Sequence, residues 1–136
     1  MHGTVSDDIG KLVLRLCLGG LLVLHGIAKL RTGVAWLEGS LASHGLPSVI
    51  AYGVYAGEVL GPVLIIIGLW TRIGAALVLV NMIAAVALMH TADFFVLGGG
   101  GGWALELQAF YFLTALALLF LGAGRFSVGG SRGHWN

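Results

Sequence analysis

The stretch "LVLRLCLGGLLVLHGIAKL", Leu12 to Leu30, is apolar except for Arg15 near its start and His25 and Lys29 near its end. At about 1.5 Å per residue, a helix of this length covers roughly the 30 Å of bilayer hydrocarbon. Three more apolar blocks of similar length follow, at 49–70, 73–90 and 104–121. Lys11 and Arg15 ahead of the first block also resemble the start of a signal peptide. No small-residue cleavage pattern follows it, however, and His25 and Lys29 interrupt the apolar region, so it is read as a mature span.

Composition agrees. Of 136 residues, 58% are hydrophobic and 10% charged, and mean hydropathy is +0.98. A soluble domain carries about 25% charged residues, so this chain cannot cover a water-facing surface. The expected architecture is all-α: a transmembrane antiparallel four-helix bundle forming a single integral membrane domain over 1–136. A net charge of +1 without a dense basic cluster gives no nucleic-acid partner. Cys17, the only cysteine, rules out a CxxC relay within one chain and reads as a small packing residue.

Thr71-Arg72 predicts a tight cap between spans two and three, making them antiparallel neighbours. The first connection holds "SHGLP" and an interfacial segment with Trp36 and Leu37; the third holds the flexible run Gly98 to Gly102. No strand precedes that run and no Lys-Ser/Thr follows, which argues against a phosphate loop. Lys11, Arg15, Arg72, Arg125 and Arg132 lie on the side of the termini, with Lys29 and Arg31 on the other. That imbalance predicts cytoplasmic termini. Trp70 and Trp103 then sit at opposite membrane interfaces.

In that topology the ionisable residues gather in the outer half. His25 is roughly 7–8 Å deep and Glu58 roughly 9–14 Å, with Lys29 and His90 close to the surface and Glu106 roughly 5 Å in. His25 and Lys29 are four residues apart and share one helix face. Charged groups at such depth turn inward and pair, so His25, Lys29, Glu58, His90 and Glu106 form the candidate polar site. The bland alternative is a snorkelling Lys29 with interfacial His90, Asp93 and Glu106. No metal site is expected.

"GVYAGEVLGP" places Gly53, Gly57 and Gly61 at intervals of four, a ridge for close helix packing. Pro62 lacks an N–H and clashes with the carbonyl four residues back, that of Glu58. A helix kink at Pro62 is therefore expected, leaving a free acceptor beside the deepest carboxylate.

"HGIAKL" (25–30), "EVLGPVLIIIGLWTR" (58–72) and "GAGRFSVGG" (122–130), in this order and spacing, resemble the DoxX family of small four-span bacterial membrane proteins. His25, Gly26, Lys29, Glu58, Gly61, Gly68, Gly122, Gly124 and Ser127 match characteristic positions. Gly129 departs from the pattern, where an acidic residue commonly stands. The resemblance implies a multi-pass protein of the bacterial inner membrane and a link to redox chemistry, since the family takes its name from a membrane subunit of a thiosulfate:quinone oxidoreductase. It points to a quinone-linked oxidoreductase subunit or accessory. His25, Lys29 and Glu58 would serve the quinone, Tyr55, Phe110 and Tyr111 would line its ring, and a membrane or periplasmic partner would supply electrons. Two other classes stand beside it. A haem between His25 and His90 is the weaker cofactor reading, because two lone histidines carry little signal. A non-enzymatic scaffold, assembly factor or small-solute or proton pathway is the other, docking on a partner's spans or on a second copy.

Overall fold

The computed structural model describes residues 4–130 and 133–136; Arg132, counted in the charge balance, lies outside the described residues. Among the described residues the chain is helical, with no strand and one isolated bridge between Leu97 and Trp103.

Helix α1 (Val5–Thr32) begins well before Leu12 because Thr4 and Asp7 form a reciprocal cap. The Asp7 amide donates to the Thr4 hydroxyl at 3.2 Å, and the Thr4 amide donates to the Asp7 carboxylate at 2.7 Å. A short helix, α2 (Ala35–Ser43), occupies the first connection. Helix α3 (Ser48–Ile67) starts as a tight 3₁₀ segment, widens into one π-turn at Ala56–Leu60 and finishes as α-helix. Gly68, in the left-handed conformation at φ 72°, ends it. The connection to α4 (Thr71–Met89) is thus Gly68 to Trp70 rather than Thr71-Arg72, and Thr71 already begins the next helix. Helix α5 (Glu106–Leu121) starts after a turn in which the Glu106 amide donates to the Trp103 carbonyl.

By length and composition α1, α3 and α4 are each able to cross a membrane, and α5 is a shorter apolar helix of 16 residues. One core joins all four: Leu18 and Leu22 from α1, Ile65 from α3, Val78 and Met82 from α4, Tyr111 and Leu118 from α5. The pairings are antiparallel. Gly26 of α1 meets Glu58 of α3, Gly19 meets Ile66, and Arg15 reaches Ile65. Likewise Gly57 meets Asn81 and Gly61 meets Gly74 across α3 and α4. Cys17 faces outward from α1 instead of packing inside it.

The end that carries both termini is tied together by Arg15, only 1% exposed. Its guanidinium donates four hydrogen bonds of 2.8–2.9 Å to the carbonyls of Ile65, Ile66, Ala123 and Phe126. Two of these are last-turn carbonyls of α3, which have no helical partner and sit at the negative end of the helix dipole. The other two belong to the segment after α5. One cation therefore caps a helix and anchors the tail. Further bonds hold the tail, from Gly129 N–H to the Gly68 carbonyl and from Arg72 N–H to the Trp135 carbonyl.

Candidate ligand-binding site

The inward face of α1 runs through Gly19, Leu22 and Gly26, and Lys29 lies three residues further along it. Gly26 allows α1 to approach α3 closely. A Cβ there would lie 2.2 Å from the Glu58 carbonyl oxygen, so only hydrogen fits. The π-turn explains the geometry opposite. The Gly61 amide donates back five residues to Ala56, and Pro62 has no N–H to give. The irregularity expected at Pro62 therefore takes the form of a widened turn around Glu58, with Pro62 in the first turn of the α-helical segment that follows.

Glu58 is 5% exposed. One carboxylate oxygen pairs with the Lys29 ammonium, and the other accepts from Asn81 Nδ2 at 3.2 Å. The Tyr55 hydroxyl donates to the Lys29 backbone carbonyl at 3.2 Å, fixing the end of α1 against α3. A buried ion pair is tolerated when charge is matched and the remaining lone pairs are filled, and Asn81 supplies that second donor. The triad forms the polar end of a cavity of about 270 Å³ between α2, α3 and α4. The rest of its wall is apolar, including Leu37 and Leu41 of α2, Val54 of α3 and Leu77, Ala84 and Leu88 of α4. An apolar cavity with a few convergent polar groups is the usual form of a small-molecule site.

Lys29 and Glu58 are thus brought together, while the other three candidate residues stand elsewhere. His25 is exposed on α1, its Nδ1 3.0 Å from the Leu21 carbonyl and its ring edge-on to Tyr111 with centroids 6.0 Å apart. His90, the C-cap of α4, pairs with Asp93 at 2.9 Å. Glu106 is exposed beside Gly102. Neither histidine lines this cavity or the second one, between α4 and α5. Among the described residues no three His, Cys, Asp or Glu gather as a metal cluster. Of the glycine ridge, Gly57 and Gly61 make the close approach to α4, whereas a Cβ on Gly53 would meet nothing within 4 Å. Sequence reasoning missed Asn81, although it is the sole hydrogen-bonding side chain between Ile73 and Met89.

The DoxX family model matches residues 10–91, more than half of the chain, and that region contains Gly26, Lys29, Glu58 and Asn81. An uncharacterized protein of Haemophilus influenzae is 34% identical over 115 residues, which are 82% of this chain and 81% of that protein. A protein of Bacillus subtilis named "Putative oxidoreductase CatD" is 38% identical over 84 residues, 60% of each chain. No solved structure matches the chain significantly. The family match and the Haemophilus relative, aligned along most of both chains, place this membrane-helix protein in the DoxX family.

Proposed function

We propose that this chain is a single-domain, four-span protein of the bacterial inner membrane with both termini in the cytoplasm. In this reading Lys29, Glu58 and Asn81 form the head of a quinone site that serves a partner oxidoreductase. The excess of Lys and Arg on the terminal side supports the orientation. Helix α5, about 24 Å long by its 16 residues, is short for a span but is extended at its start by the interfacial Trp103.

The observation that carries the reading is the Lys29–Glu58–Asn81 triad closing an otherwise apolar cavity. A quinone ring oxygen accepts hydrogen bonds. Lys29 has three N–H donors, of which Glu58 takes one, and the Asn81 amide has a second N–H to offer. Glu58 holds the Lys29 side chain at the polar end of the cavity, where its remaining donors can meet the ring oxygen. At about 270 Å³ the cavity lies just below the roughly 300 Å³ at which ligand pockets begin. It accommodates a head ring, with the tail leaving past Val80, an exposed residue of the lining.

Quinone reduction takes two electrons and two protons. The chain has no flavin or nucleotide fingerprint and one cysteine, so a partner protein gives the electrons and these side chains relay the protons. The name of the Bacillus relative accords with redox association. His25 has a peripheral part, with His90 and Glu106 outside the site. Purification in mild detergent with mass spectrometry of bound proteins and lipophiles tests this. A quinone or quinol with a stoichiometric redox partner supports it; a lone oligomer that conducts ions and carries no quinone overturns it.

A further inference from the structure

The turn between α3 and α4 holds a tryptophan in a conformation that suits glycine. Trp70 lies in the left-handed region at φ 49°, and it is the one non-glycine residue to do so among the described residues. Such a backbone is costly for a bulky side chain and persists only where the surrounding structure holds it. Here Gly68 ends α3, and the Trp70 carbonyl accepts from the Gly74 amide to begin α4. The indole is left 55% exposed. The tail brings a second exposed tryptophan to the same place. The Arg72 amide donates to the Trp135 carbonyl at 3.0 Å, and Trp135 is 63% exposed. Exposed tryptophans at the end of membrane helices sit at headgroup depth.

Arg72 joins the two, following Trp70 by two residues and bonded through its amide to Trp135. Among the described residues its guanidinium makes one hydrogen bond, a long one of 3.4 Å from Nη2 to the Phe120 carbonyl, and pairs with no carboxylate. Its neighbours at this end are committed. Lys11 and Arg125 share the Asp8 carboxylate at 3.9 and 3.7 Å, and Arg15 serves its four carbonyls. The end as a whole is positive, with Lys11, Arg15, Arg72 and Arg125 against Asp7 and Asp8 among the described residues. The first amides of α4 are not free to bind an anion, because Asn136 Oδ1 and the Trp135 carbonyl accept from Thr71 and Arg72. The capacity for an anion therefore lies in the Arg72 side chain, whose paired N–H donors match a phosphate.

We propose that Arg72, with Trp70 and Trp135, is a docking point for the phosphate of an anionic bilayer phospholipid of the phosphatidylglycerol class. The guanidinium takes the phosphate, and the indoles cover the glycerol region beneath it. The surface is continuous with the spans α3 and α4 that it joins, so the headgroup layer is what it meets. A zwitterionic lipid also has a phosphate, but it brings a cation that the positive end repels. This site lies at the opposite end of the bundle from Lys29 and Glu58 and does not depend on the role assigned to their cavity.

The test is native mass spectrometry of the full chain, delipidated and offered phosphatidylglycerol or phosphatidylcholine with matched acyl chains. One retained phosphatidylglycerol, favoured about fivefold for a single basic side chain at the surface, is expected. Arg72→Gln should erase that preference. Arg31→Gln, which removes an exposed arginine at the opposite end, should keep it. Trp70→Gly relieves the left-handed backbone, so Tm should not fall while retention of phosphatidylglycerol is lost. Glycerol phosphate without acyl chains should not displace the lipid. Equal retention of the two lipids by the unaltered chain overturns the proposal, as does a preference unchanged in Arg72→Gln. Displacement by glycerol phosphate would make this a site for a soluble phosphate and also overturns it. Should Arg72→Gln fail to fold, full retention of phosphatidylglycerol by Trp70→Gly stands as the contrary result.

Discussion

Two alanine substitutions on α1, six residues apart, should act in opposite directions. At Gly26 a methyl group would lie 2.2 Å from the Glu58 carbonyl oxygen, 2.7 Å from Val59 Cγ2 and 2.8 Å from the Glu58 carbonyl carbon. Carbon–oxygen contacts settle at about 3.3 Å or more, so α1 and α3 must separate by about 1 Å at this level. The obstacle is backbone, which has no rotamer to turn away. Overpacking costs about 1–3 kcal/mol, and a gap of this size forfeits a quarter to a half of the dispersion at neighbouring contacts. The gain in helix propensity, at most about 1 kcal/mol, does not offset this. At Gly20 a Cβ meets nothing within 4 Å, and there the propensity gain stands alone. Gly26→Ala should therefore lower Tm and Gly20→Ala leave it unchanged or raise it. The expected separation is roughly 5–15 °C for a chain of this size. Thermal unfolding in one mild detergent, followed by tryptophan fluorescence, reads both. Equal Tm values for the two variants would refute the close approach of α1 to α3.

The ion pair gives a second expectation. Lys29→Met or Glu58→Gln alone should cost about 3–5 kcal/mol by stranding a buried charge or its partner, and the double variant less than their sum. A double-mutant cycle by denaturant unfolding in detergent checks it, and a coupling near zero removes the pair from the core. At the terminal end, Arg15→Leu leaves four carbonyls without a donor, the two buried ones, of Ile65 and Ala123, at about 1–3 kcal/mol each, a large share of ordinary domain stability. This variant should fail to accumulate. Arg15→Lys, with a shorter reach and no guanidinium fork, should fold with a loosened tail and faster tryptic cleavage at Arg125. Cleavage at the unaltered rate would show that Arg15 does not hold the tail.

The membrane helices were legible because hydropathy and length suffice to find a span. Their ends were less so. The cap of Thr4 and Asp7 extends α1 through polar residues that a hydropathy reading discards, and the turn at Trp103 shortens the last helix. The pairing of Lys29 with Glu58 could be anticipated, since charges at that depth need each other. That Asn81 completes it depends on the contact of α4 with the π-turn, and no local pattern announces a π-turn. His25 shows the limit of helix arithmetic. Residues four apart share a face only loosely: Lys29 continues the inward line of Gly19, Leu22 and Gly26, while His25 stays on the rim. In the sequence Arg15 reads only as one of the charges on the terminal side. Its burial comes from the tail folding back beneath α3, over a hundred residues away in sequence.

Binding of a quinol analogue tests most directly whether the polar end of the cavity between α2, α3 and α4 receives a ligand. Affinity should be measured for the unaltered chain, for Glu58→Gln and for Ala84→Phe, which fills the apolar wall while leaving the triad untouched. Glu58→Gln should weaken binding about tenfold through loss of the charge that orients Lys29, and Ala84→Phe should abolish it. The same affinity in all three proteins would mean that buried acid and base hold helices together and receive no ligand.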